Sequence, residues 1–78
     1  MRKYTQKELR NMVALGMAEN VTRANNEDYE KIIKKESYLS QIGYSAGVYG
    51  YNGMLLKGHN TGTYYAVTSR TSAIYIFG

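Results

Sequence analysis

From Gln41 onward the apolar residues recur with a period of two, and Gly, Tyr, Thr and Val dominate the chain. Pleated strands produce that pattern, because successive side chains point to opposite faces. The pattern predicts four strands, over residues 42–51, 54–58, 63–68 and 73–77. Asn52-Gly53, between Tyr51 and Met54, is a type I′ hairpin signal. His59-Asn60-Thr61-Gly62 marks a second turn, and Ser69-Arg70-Thr71-Ser72 a third. The first strand carries Gly43, Gly47 and Gly50, so it can bend, bulge or begin as a loop.

These turns fix a register. Tyr51 faces Met54 and Tyr49 faces Leu56; Leu56 faces Tyr65 and Met54 faces Val67; Val67 faces Ile74 and Tyr65 faces Ile76. One face then collects Tyr49, Tyr51, Met54, Leu56, Tyr65, Val67, Ile74 and Ile76, a core face for helices to cover. The other holds Tyr44, Val48, Leu55, Lys57, Tyr64, Ala66, Thr68, Tyr75 and Phe77. On this register Val67→Asp and Ile74→Asp are expected to abolish folding, whereas Thr68→Asp is expected to be mild in a monomer.

Before Gln41 the period is helical. Thr5-Gln6-Lys7-Glu8 is a capping box, Leu9, Met12 and Val13 form one stripe, and Gly16 is a stop signal. This predicts a helix over 6–15, followed by a connector from Met17 to Asn25. A second helix is expected over 27–35. Glu27 and Asp28 stand at its start, Lys34 and Lys35 at its end, and Tyr29, Ile32 and Ile33 along its apolar stripe. The expected fold is a single α+β domain over residues 1–78. Two short N-terminal helices pack on one face of a three- to four-stranded antiparallel β-meander.

Seventy-eight residues give a thin core, and oligomerisation is one way for so small a chain to bury more apolar surface. The chain has no cysteine, which excludes disulfides and thiolate metal sites and points to a reducing, cytoplasmic setting. Lys7, Glu8 and Arg10 interrupt any signal-peptide core, and the uncharged stretch from Ser37 to Leu56 is too rich in Gly, Ser and Tyr to span a membrane. The net charge of +4 is unevenly spread. All six acidic residues lie in the first 36 positions, while seven of the nine tyrosines follow them.

Catalytic chemistry finds little to work with. His59 falls in a predicted turn, where a backbone role is the simpler reading. The carboxylates Glu27, Asp28, Glu30 and Glu36 read as helix-end and solvated charges. No nucleophile elbow or metal-ligand spacing is present, and the glycines of residues 47–53 lack the Lys-Ser/Thr ending of a P-loop. No enzyme activity, cofactor or metal is therefore expected. The unusual feature is the outer sheet face, with Tyr44, Lys57, Tyr64, Tyr75 and Phe77 and no acid. Apolar faces of this kind mark interfaces, and rings beside cations also suit the stacking of nucleobases.

Ile42 to Gly50, Asn52-Gly53, Leu56-Lys57-Gly58 and Tyr65 to Ala73, with the opening Lys3 to Leu9, resemble small uncharacterised proteins of phages and conjugative elements of Gram-positive bacteria. The resemblance implies a mobile-element accessory protein, without an activity to carry over. The expected function is that of a non-enzymatic, self-associating interaction protein, with a homo-oligomeric partner and a host protein as further partner. The alternative is a small nucleic-acid-binding protein that uses the acid-free aromatic face.

Overall fold

The computed structural model describes residues 2–22, 30–31, 34–69 and 73–78. Its elements run β1 (Arg2–Tyr4), α1 (Gln6–Ala14), β2 (Ala18–Thr22), β3 (Leu39–Gly47), β4 (Gly50–Gly58), β5 (Tyr64–Val67) and β6 (Ala73–Phe77). The strands form one six-stranded sheet in the order β1-β3-β4-β5-β6-β2. β1 pairs parallel with β3, and the other neighbours pair antiparallel.

This corrects the expected fold: a six-stranded mixed sheet replaces a three- to four-stranded meander. Two strands come from the N-terminal part, where no strand was expected. Arg2–Tyr4 and Ala18–Thr22 are too short to show an alternation of their own, and each takes its conformation from the strand beside it. Of the helix expected over 27–35, residues 27–29, 32 and 33 lie outside the described residues, as do residues 70–72 of the third turn. Glu30, Lys31, Lys34 and Lys35 are helical and exposed.

The first helix forms as its caps dictate. Thr5 Oγ1 accepts from the Glu8 N–H at 3.1 Å, and the Glu8 carboxylate accepts from the Thr5 N–H. At the other end Met17 N–H donates to the Met12 carbonyl and Gly16 N–H to that of Val13. That pair of bonds is a Schellman motif, and Gly16 takes the left-handed φ of 73° it needs.

The first hairpin also differs from expectation. It turns at Val48-Tyr49, where Gly47 pairs with Gly50, and Asn52-Gly53 lies inside β4. Gly50, with φ of 93°, closes the turn as a glycine bulge does. Met54 therefore faces Tyr44, and Leu56 faces Gln41. The β4–β5 and β5–β6 registers agree with those read from the sequence, residue for residue, including Leu56 with Tyr65 and Val67 with Ile74.

α1 joins one edge strand, β1, to the other, β2, and so crosses the sheet. It crosses the face opposite to the one expected. Leu9 is fully buried in a cluster with Leu55, Ala66, Ala73, Tyr75 and Phe77. Apolar residues occupy both faces of β5 and β6, so the two-residue period alone could not say which face takes the helix. The observed face presents Leu55, Ala66, Tyr75 and Phe77 to Leu9, and the small Ala66 sits at its centre. Tyr65, Val67 and Ile74 form a second buried cluster on the other side, with Val21, Leu39, Leu56 and Ile76 packed against them.

Candidate functional site

Of the five surface residues singled out from the sequence, three come together. Lys57 and Tyr64 are opposite one another on β4 and β5, and Tyr64 is opposite Phe77 on β6. The Tyr64 and Phe77 rings stack with centroids 5.5 Å apart, and Tyr4 meets Phe77 edge-on at 5.2 Å. Lys57 Nζ lies 5.5 Å from the Tyr64 ring centroid, and the Arg2 guanidinium lies 5.2 Å from it. One ring thus holds two cations, an attraction between positive charge and the ring's negative face worth about 0.5–1 kcal/mol at exposed sites.

Tyr75 and Phe77 do not stand free. They are 2% and 9% exposed, under α1, and the Gln6 side-chain amide donates to the Tyr75 hydroxyl at 2.8 Å. Tyr44 lies on the other side of the sheet from Lys57. It faces Met54, and residues three apart on one strand point to opposite faces. The half-buried Tyr44 also pairs in register with Lys3 of β1.

The sequence reading missed Arg2, Lys3, Tyr4 and Tyr51. Lys3 Nζ lies 5.3 Å from the Tyr51 ring centroid, near the β3–β4 turn. Tyr51, Val48, Thr5 and Gln6 line a cleft of about 330 Å³ between that turn and the start of α1. Tyr49, at the turn itself, is 87% exposed. The only sequence signal for this group was the basic opening Arg2-Lys3-Tyr4. It gains meaning once β1 joins the edge of the sheet.

Electrostatically this edge is open. Among the described residues Arg2, Lys3 and Lys57 contact rings and form no ion pair. Glu8, six residues after Arg2, is engaged in the capping box. Glu36, expected as a solvated charge, is instead buried, and its two oxygens accept from the Thr61 N–H and hydroxyl at 3.0 and 2.9 Å. With Asn60 and Ser37 it ties the turn at 59–62 to residues 35–37. His59 sits on that turn, its N–H donating to the Tyr38 carbonyl and its ring edge-on to Tyr38 at 6.4 Å.

No cluster of three or more His, Cys, Asp or Glu side chains suited to a metal ion occurs among the described residues. No helix among them is long and apolar enough to cross a membrane. No protein-family model, curated protein or solved structure matches the chain.

Proposed function

We propose that the protein binds single-stranded nucleic acid along the β1–β3–β4 side of its sheet. The observation that carries this reading is the pair of unneutralised cations, Arg2 and Lys57, on the one Tyr64 ring. Two held cations suit successive phosphates of a flexible backbone. Tyr64 is already stacked on Phe77, so it positions the cations rather than receiving a base. Base stacking falls to Tyr51 and Tyr49, the exposed rings at the far end of the same hairpin. From Lys57 to Gly50 the strand extends roughly 23 Å at about 3.3 Å per residue, which suits a site of a few nucleotides. An acidic peptide would use the cations but would leave the exposed rings without a task.

Fluorescence anisotropy with labelled oligothymidine and oligouridine tests the proposal. Affinity is expected to fall with salt, with a log–log slope of about −1.4 for two phosphate contacts. Arg2→Ala and Lys57→Ala each reduce that slope by about 0.7, and Tyr51→Ala costs about 1–3 kcal/mol of binding. Absence of binding at low salt, or binding unaffected by all three substitutions, overturns the reading.

A further inference from the structure

The two edges of the sheet are finished differently. β1 is three residues long and carries Arg2 and Lys3, the kind of charge that keeps an edge from pairing with another chain. β2 is five residues long, Ala18-Glu19-Asn20-Val21-Thr22, with Glu19 as its one charge and no proline or lysine. β6 occupies its inner side, and among the described residues no strand pairs with its outer side. Beside its start, where α1 ends, stand Leu15 and Met17, 73% and 62% exposed. Among the described residues, an unpaired backbone edge thus lies next to two strongly exposed apolar side chains.

We propose that β2 is a self-pairing edge, on which a second copy of this chain docks antiparallel, two-fold related about Asn20. A strand edge asks for another strand, since its outward N–H and C=O groups need partners along a line. The β2 sequence satisfies the symmetry condition with itself. Centred on Asn20, the pairing sets Ala18 opposite Thr22 and Glu19 opposite Val21, so the like charges Glu19 and Glu19 do not face each other. Leu15 and Met17, next to the start of each β2, lie towards the end of the partner's strand and add the apolar burial that a bare edge lacks. A five-residue edge falls well short of the roughly 800 Å² per partner of a standard stable interface. The dimer is therefore concentration-dependent, forming in the micromolar range. The docking edge lies across the sheet from β1, so it does not compete with the proposed nucleic-acid surface.

Sedimentation velocity over a concentration series, with hydrogen exchange at low and high concentration, tests this. The wild-type mass is expected to rise from monomer towards dimer, with the β2 amides gaining protection as it does. Asn20→Lys places two lysines face to face on the two-fold axis and is expected to give a monomer of unchanged thermal stability, because Asn20 is exposed. Mixing Asn20→Lys with Asn20→Asp restores a heterodimer. Tyr49→Ala, at the far hairpin, leaves the mass unchanged. A wild type that stays monomeric at several hundred micromolar overturns the proposal. So does a dimer that survives Asn20→Lys or is lost in Tyr49→Ala. Each readout is made without oligonucleotide and is independent of the nucleic-acid reading.

Discussion

A Cβ added at Gly53 would lie 2.5 Å from the Val67 carbonyl oxygen and 2.7 Å from that of Ala46. Both obstacles are strand backbone, which cannot swing aside. Gly53→Ala is therefore expected to cost about 1–3 kcal/mol by overpacking, read as a fall in the midpoint of chemical denaturation. Asn52→Ala removes only the acceptor of the Ser69 hydroxyl, a 2.8 Å exposed bond, and is expected to cost less. The reverse order would return the pair to a turn, where both residues need left-handed backbone. Gly53 is not among the positive-φ glycines, whereas Gly50 is. Glycine serves left-handed turns and close backbone contacts alike, so Asn-Gly in the sequence could be read either way. Tyr75 and Phe77 carry the same lesson. Their alternation with Ile74 and Ile76 correctly separated two faces. It could not show that α1 covers theirs, because buried apolar residues stand on both faces of β5 and β6.

At the scale of elements, what the chain states locally could be read and what it states by pairing could not. α1 announces itself through Thr5, Glu8 and Gly16, all of which act within a few residues, and the structure places its ends within one residue of expectation. Thr5→Ala is expected to cost about 0.5–2 kcal/mol through loss of the cap. Gly16→Ala, which strains a φ of 73°, is expected to cost roughly 1 kcal/mol. Denaturant titrations of both variants check these values. Together they isolate the helix ends, because neither residue is buried. β5 and β6 were legible for the same local reason, with strong alternation on both sides of a turn. β1 and β2 were not, since each borrows its register from a distant partner, Gly43 to Ser45 for one and Ala73 to Phe77 for the other. The cation pair on Tyr64 was hidden with them, as Arg2 reaches it only once β1 is docked.

Across the whole molecule α1 does more than cover apolar surface. The first 22 residues supply both edge strands, and α1 is the link between them, held to the sheet by Leu9 at zero exposure. Leu9→Ala is expected to remove about 2–5 kcal/mol, as emptying a buried leucine site does. A domain of this size has about 4–12 kcal/mol in total by the usual per-residue stability. The loss therefore consumes a large share of the stability, and the variant is expected to unfold well below the wild-type temperature. It should do so in one cooperative step, with edge strands and helix together, because they share one core. Circular dichroism in the far and near ultraviolet distinguishes the outcomes. Coincident transitions at a lowered temperature support a strap integral to the fold. An early loss of helix that leaves the β-signal at its wild-type midpoint would mean that the central strands β3 to β6 stand without it. In that case the N-terminal segment, with Arg2 and β2, is a detachable addition to a four-stranded core.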